Sequence, residues 1–358
     1  EARNSQLRWT ASRLAAATSG TLVQPGKTHL FGEISTDTRT IKPGDVFLAL
    51  QGENYDGHDF LAAALAKGAS ALILKRAYTV KDQEVGVIRV KHTLQALGDL
   101  AHYRRGLLAP ELRVIGITGS SGKTTVKEMT SAIFAEQDNS AAKETVLKTA
   151  GNFNNLIGLP LTLLRVDAGH RTAVLEMGMN RPGEIAELTR VSDPNIGCIT
   201  NVQAAHLEGL GTIEGVARAK GELFSRMSGE GIRVINYDDP QIRKLGGRYG
   251  NNAIGFAVTP EGRRYRPAVR GTRIVNLGES GMRFTLHINS WRKRITVPST
   301  GVHNVANCAA AAAIAVAAGV VPDVIARGLL SYRCGDKRQQ IVELPGGIRV
   351  LNDSYNAN

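Results

Sequence analysis

Val114-Ile115-Gly116-Ile117-Thr118-Gly119-Ser120-Ser121-Gly122-Lys123-Thr124-Thr125 is an apolar strand that runs into a glycine loop. A helical stretch follows, predicted over Thr124 to Glu136. Glycines at 119 and 122 let backbone N–H groups approach and cradle phosphate oxygens, and the helix N-terminus behind them favours anions. In such a loop Lys123 reaches the β- and γ-phosphates of a nucleotide, and the Thr124 hydroxyl can ligate Mg²⁺. Position 117 is Ile, so this is a short form of the phosphate loop. An idle glycine turn before a helix is the bland rival, and the strand–loop–helix context argues against it. Gly119, Ser120, Ser121, Gly122, Lys123, Thr124 and Thr125 are therefore read as nucleotide-binding.

Downstream of the loop, strands are predicted at Thr172 to Leu175, Asn195 to Thr200 and Arg233 to Asn236, with helices between them. Such alternation implies right-handed crossovers and a mostly parallel sheet covered on both faces, an α/β class. Around Arg273 to Val297 the pattern changes to alternation with turns, which predicts an antiparallel flap on that core. A helix over residues 304 to 318 carries the alanine run Ala309 to Ala313. Ile341 to Leu351, folded at Pro345-Gly346-Gly347, predicts a hairpin that opens a third domain, which the resemblance given below implies to be Rossmann-like.

Upstream lies a second compositional unit. Helices are predicted at Ser5 to Thr18, Phe60 to Gly68 and Thr93 to Leu108, and strands at Asp45 to Leu50, Ala71 to Leu74 and Val85 to Val90. The expected organisation is a small α/β domain over 1–108, a phosphate-loop domain over 109–335, and the beginning of a truncated third domain over 336–358.

Composition bounds the rest. The chain has 358 residues, 42% hydrophobic and 21% charged, an ordinary globular balance. Cys198, Cys308 and Cys334 have no metal-like spacing and suggest no disulfide framework, so a reducing cytoplasm is the expected compartment. The apolar run of residues 309–318 is too short to span a bilayer, and no stable membrane insertion is expected. The formal net charge of +12 admits nucleic acid, an anionic membrane surface or an anionic small substrate. Basic residues are spread out, however; the densest runs are Arg263-Arg264 and Arg292-Lys293-Arg294, and aromatics are only 5%. That leaves little for base stacking, so no nucleic-acid partner is expected.

Two residues outside the loop suit the chemistry, and a third does not on its own. Glu176 follows the strand Ala173-Val174-Leu175, where a phosphate-loop fold needs a metal-binding carboxylate. His206 follows another strand's C-terminal end, where α/β sheets bind ligands, although a lone histidine is more often structural. Lys220, in Ala219-Lys220-Gly221-Glu222, reads on its own as an exposed helix residue.

Further words along the chain carry a resemblance. They are Ser35-Thr36-Asp37-Thr38-Arg39, Gly52-Glu53-Asn54-Tyr55-Asp56-Gly57-His58-Asp59-Phe60, the phosphate loop with Val126-Lys127-Glu128-Met129, and Gly151-Asn152-Phe153-Asn154-Asn155. Then follow Ile157-Gly158-Leu159-Pro160, Glu176-Met177-Gly178-Met179-Asn180, Ala205-His206-Leu207-Glu208-Gly209, Gly301-Val302-His303-Asn304-Val305-Ala306-Asn307 and Asp353-Ser354-Tyr355-Asn356-Ala357-Asn358. In this order, from about residue 8 to the end, the chain resembles the Mur ligases. The Asn-Phe-Asn-Asn and Ser-Tyr-Asn-Ala-Asn stretches resemble their dipeptide-adding branch.

The resemblance implies an ATP-dependent ligase of peptidoglycan precursor synthesis that joins D-alanyl-D-alanine to UDP-N-acetylmuramoyl-tripeptide through an acyl phosphate. It further implies that Lys123 holds the β/γ-phosphates, that Thr124 and Glu176 hold one Mg²⁺, and that His206 holds a second. Lys220 matches a lysine carried as a carbamate that faces metal. Asn155, Asn304 and Asn307 match residues on the adenine side, and Arg338 an arginine reaching ATP phosphates. Ser35, Asp37, Thr38 and Arg39 match the segment holding the UDP end of the substrate, while His58 and Asp59 receive no role. A monomer is expected.

Two departures stand out. Lys337-Arg338-Gln339 replaces the usual glycine–arginine–apolar setting. The chain also stops inside the motif that opens the C-terminal domain, so this chain alone is expected to be inactive. Rival readings are a tripeptide-forming Mur ligase, a relative of folylpolyglutamate synthase, and a non-catalytic nucleotide-binding fragment.

Overall fold

A computed structural model of the chain describes residues 7–52, 55–138, 145–204, 210–333, 340–346, 348–352 and 354. These residues form two compact units. The first comprises Glu1–Leu112, Thr149–Arg171 and Arg190–Asp193, and the second Arg113–Lys148, Thr172–Thr189 and Pro194–Asn358.

In the first unit, five short strands pair in the order β1-β5-β4-β3-β2. They are β1 (Thr21–Gln24), β2 (Ile34–Ser35), β3 (Val46–Leu48), β4 (Ala71–Leu74) and β5 (Gly86–Arg89). All neighbours are parallel except β1 against β5. The inner strands β3 and β4 are buried throughout, as their continuous apolar runs require. Phe47, Leu72 and Val87 pack with Leu61 and Ala64 of the helix Leu61–Ala66. The predicted helix from Ser5 begins only at Ala11, because the Thr10 side chain accepts the Arg13 N–H at 3.2 Å and caps it there. Phe60 closes a separate turn, Gly57–Phe60, rather than starting the helix predicted from it.

The second unit is built on a nine-stranded sheet, ordered β14-β13-β12-β11-β10-β9-β6-β8-β7. Its strands are β6 (Arg113–Thr118), β7 (Val146–Lys148), β8 (Thr172–Glu176), β9 (Ile196–Ile199), β10 (Ile232–Asn236), β11 (Ala253–Ala257), β12 (Val269–Asn276), β13 (Met282–Ile288) and β14 (Trp291–Val297). Pairing is parallel from β7 to β12 and antiparallel from β12 to β14. The predicted flap is thus hydrogen-bonded into the same sheet, β12 running parallel to β11 on one side and antiparallel to β13 on the other.

The helix Val302–Ala317 is buried along Ala309–Ala315, where small side chains let it lie close against the sheet. It packs with Val305 and Cys308 against Phe284, Leu286 and Ile288 in the core. β15 (Gln340–Leu344) and β16 (Ile348–Asn352) form the predicted hairpin as a separate two-stranded sheet.

Candidate functional site

β6 lies between β8 and β9, and its carboxyl end feeds the glycine loop. That is where open parallel sheets place their ligands. The helix Lys123–Asp138 leaves the loop directly, so its first turn presents Lys123 and Thr124. Gly119 and Gly122 adopt φ of 153° and 78°. Neither could carry a side chain, since a Cβ at 119 would run into the Thr200 hydroxyl and one at 122 would lie 2.5 Å from Asn307 Oδ1.

The loop is fastened to the end of β9. Asn201 accepts the Ser120 N–H at its backbone oxygen (3.0 Å) and the Ser121 N–H at Oδ1 (2.9 Å). Its Nδ2 donates to the Ser121 carbonyl at 3.1 Å, and the Thr200 hydroxyl donates to the same oxygen at 2.6 Å. Ser120 Oγ accepts the Gln203 N–H at 2.9 Å. Behind this layer, Asn236 Nδ2 donates to the Thr200 carbonyl at 2.7 Å and Asp239 accepts the Val202 N–H at 2.7 Å. Sequence reasoning assigned Ser120 and Ser121 to the loop but none of Thr200, Asn201, Gln203, Asn236 and Asp239. Their signal is positional: each is a polar residue at or shortly after the end of an apolar strand of a parallel sheet.

Within this frame several expected residues meet. The Thr124 hydroxyl donates to Glu176 Oε2 at 2.8 Å. Glu176 is the last residue of β8, one strand away from the loop, and it is buried. Lys123 folds back so that Nζ donates to the Gly119 carbonyl at 2.9 Å. Asn307 lies against Gly122, and its Nδ2 donates to Asn304 Oδ1 at 3.1 Å, while Asn304 Nδ2 donates to the Thr300 carbonyl at 2.7 Å.

Lys220 is not the exposed helix residue that its own sequence context suggests. It sits on the helix Ile213–Arg226 among buried Val216, Ala217, Leu223 and Phe224, and only 2% of it is accessible. Burial, and then the positive charge of Lys123, push its ammonium down to about 7. Its neighbour Glu222 is engaged elsewhere, accepting the N–H groups of Gly183 and Ala186 at 2.9 Å each. Buried yet held near neutrality, Lys220 has the environment of a reactive amine.

The substrate-side segment belongs to the first unit. Ser35 Oγ donates to the Asp37 carbonyl at 3.1 Å. Asp37 receives the Arg39 guanidinium in a fork, Nε at 3.0 Å and Nη2 at 2.7 Å, and also the Arg39 N–H at 2.8 Å. The Arg39 bonds hold the Asp37 carboxyl down at about 2. The Arg39 side chain is 87% exposed, and Thr38 beside it is half-buried.

Asn155 also falls in the first unit, where its Oδ1 accepts the N–H groups of Ile157 and Gly158 at the start of the helix Gly158–Leu163. His58 has a structural place. Nδ1 pairs with Asp56 at 2.6 Å, and Nε2 accepts the Lys75 N–H at 2.9 Å just past β4. His206 and Arg338 lie outside the described residues.

Among the described residues no three His, Cys, Asp or Glu gather as a metal cage. The oxygens of Thr124 and Glu176 form a two-donor set, which suits an ion that takes its other ligands from phosphates and water, as Mg²⁺ does. No helix among the described residues is long and apolar enough to cross a membrane.

Comparison with known proteins agrees with this geometry. Residues 117–315 match the Mur ligase middle domain, and residues 31–105 match the Mur ligase family catalytic domain. The UDP-N-acetylmuramoyl-tripeptide–D-alanyl-D-alanine ligase of Escherichia coli K12 is 38% identical over 91% of this chain and 69% of its own length. That of Bacillus subtilis 168 is 34% identical over 98% and 73%. The crystal structure of MurF from Acinetobacter baumannii superposes with a TM-score of 0.87 at 34% identity, covering 98% of this chain and 74% of that one. MurF ligase from Thermotoga maritima in complex with ADP gives 0.77 at 30% identity, covering 91% and 71%.

Proposed function

The chain belongs to the Mur ligase family, and on that premise we propose that it joins D-alanyl-D-alanine to UDP-N-acetylmuramoyl-tripeptide, driven by ATP. The observation that carries the reading is the phosphate loop with Thr124 hydrogen-bonded to Glu176 beside it, in a chain this similar to such ligases. A terminal carboxylate oxygen of the tripeptide attacks the γ-phosphorus and ADP leaves, giving an acyl phosphate. The D-alanyl-D-alanine amine then attacks the acyl carbon and loses a proton, and the carbon–oxygen bond to phosphate breaks as the amide forms.

The residues divide this work. Lys123 and the loop N–H groups bind and orient the β/γ-phosphates, and the fixed loop removes the need to reorganise as charge moves. Thr124 and Glu176 would hold one Mg²⁺, with His206 and Lys220 serving a second. The ion supplies positive charge that spreads the load on the transferring phosphoryl group. Asn304, Asn307 and Asn155 serve the adenine side and Arg338 the phosphates, while Ser35, Asp37, Thr38 and Arg39 take the UDP end of the tripeptide substrate. The buried thiols Cys198 and Cys308 suit a reducing cytoplasm.

The test uses a version extended to the full length of its relatives, of which the chain spans 69% in one case, since the chain alone is expected to be inactive: product formation from ATP, UDP-N-acetylmuramoyl-tripeptide and D-alanyl-D-alanine, followed by mass spectrometry with ADP release counted in a single turnover. One ADP per new amide supports the ligase. ADP release with a UDP-muramoyl-dipeptide or a folate instead would point to the rival branches. Nucleotide binding with no turnover on any of these would sink the catalytic reading.

A further inference from the structure

The basic run Arg292-Lys293-Arg294 finds no use in the site described, yet the fold sets its two arginines beside others. β12, β13 and β14 together contain Arg270, Arg273, Arg283, Arg292, Lys293 and Arg294 and not one Asp or Glu. Alternation decides which face each one takes. Val269, Phe284, Leu286, Ile288, Ile295 and Val297 are buried in the core. The opposite face is set by register: Arg270 pairs with His287 and His287 with Arg292, Thr272 with Thr285 and Thr285 with Arg294, and Arg283 with Thr296. That face therefore carries only arginines, threonines and one histidine, apart from Val275 at its margin.

Arg283, Arg292 and Arg294 are exposed and make no ion pair among the described residues. The field is felt inside the patch. Partial burial, followed by the charges of Arg270, Arg292, Arg273 and Arg263, pushes the His287 imidazole down. Side chains on this face stand roughly 7 Å apart along a strand and about 5 Å apart between strands, so the charges form a flat plate rather than a line.

We propose that this face is a peripheral docking surface for an anionic phospholipid membrane. Charge complementarity selects an anion, and the shape selects which kind. No helix projects from the plate to enter a nucleic-acid groove, and no exposed aromatic lies on it to stack bases. A protein partner would find no apolar centre to bury. An extended anionic surface needs neither, and each basic residue held against it strengthens binding about five-fold. Edge protection alone does not account for the patch. β14 is the edge strand, where charges discourage strand addition, but Arg283 stands on β13 and Arg270 on β12.

The experiment is cosedimentation of the whole chain with vesicles of phosphatidylglycerol and phosphatidylcholine, against vesicles of phosphatidylcholine alone, at about 0.15 M ionic strength. Binding to the anionic vesicles only is expected. The triple variant Arg283→Gln, Arg292→Gln, Arg294→Gln should lose roughly 100-fold in affinity, and the corresponding lysine triple should keep most of it. Lys81→Gln, Arg89→Gln, Lys91→Gln, three exposed basic residues of the first unit, should bind like the parent. Equal losses in both glutamine triples would overturn the site, as would failure of the lysine triple. So would duplex DNA binding without vesicle binding, or self-association of the glutamine triple in place of any lipid effect.

Discussion

The Thr124 hydroxyl and Glu176 Oε2, 2.8 Å apart, join the first turn of a helix to the last residue of a strand 52 positions along the chain. Two oxygens of different origin thereby share one point beside the phosphate loop. Glu176→Gln keeps the shape and the acceptor oxygen while removing the charge. It should raise the Mg²⁺ concentration needed for nucleotide binding by about 10- to 150-fold, the loss of a charged contact of roughly 1.5–3 kcal/mol. Calorimetric titration of ADP at several Mg²⁺ concentrations checks this. An unchanged requirement would remove Glu176 from the metal.

Lys123→Ala tests the loop itself. In the parent, Nζ is held by the Gly119 carbonyl, half-buried over the loop and outside the apolar core. In a version extended to the full length of its relatives, the variant should fold normally and lose about 100- to 1000-fold in ATP-dependent turnover, as one charge-stabilising donor disappears. Circular dichroism with a single-turnover assay separates the two effects. Near-parental turnover in a folded variant contradicts the assignment.

Arg39 and Asp37 offer a paired test in the first unit. Arg39→Ala should weaken binding of UDP-N-acetylmuramoyl-tripeptide by about 10- to 150-fold and leave ATP binding nearly unchanged. The same change should let the Asp37 carboxyl rise from about 2 toward its ordinary 3.8, followed by NMR titration. The sign follows from the lowered value. The pair's contribution is complete above 3.8 and fades as pH falls toward 2, so at neutral pH it is fully present. Because Arg39 is so exposed, solvent screens the pair and its effect on stability is small. ATP affinity falling along with substrate affinity would mean the two sites are confused.

How far the sequence could be read depended on whether a signal was local. The loop at Gly119–Thr125 was legible because phosphate cradling imposes glycine, lysine and threonine at fixed spacing, and the strand before it is continuously apolar. Ala309–Ala315 was legible as a buried helix because only close packing calls for so many small residues. By contrast, β7 spans only Val146–Lys148, too short a run to show a period, and pairing with β8 places it in the sheet. Asn201 and Thr200 escaped notice because a polar pair after a strand is common, and its hold on Ser120 and Ser121 appears only when β9 lies beside β6. The burial of Lys220 is hidden from its own sequence context for the same reason. Helical spacing beside Glu222 suggests an exposed pair, whereas Glu222 turns to cap the helix Glu184–Ser192 and Lys220 turns inward.

That inward turn gives the last prediction. A free ammonium at Lys220 is shielded from water and, to a lesser degree, stands against the charge of Lys123, which is why it is held at about 7. Carbamate formation, as the family resemblance implies, joins CO₂ to the neutral amine, releases a proton and replaces a cation by an anion. It would relieve the repulsion from Lys123 and offer oxygens to a second Mg²⁺. In the version extended to the full length of its relatives, activity should therefore fall in buffers stripped of CO₂ and return with bicarbonate. Lys220→Ala should lose at least about 100-fold and recover part of it with added formate or acetate, small enough to fill the vacated anion position. Mass spectrometry after chemical trapping of the carbamate gives a readout independent of turnover. A variant with parental rates, or a parent indifferent to bicarbonate and carrying no trapped adduct, would leave Lys220 as a buried amine that serves only to shape the helix.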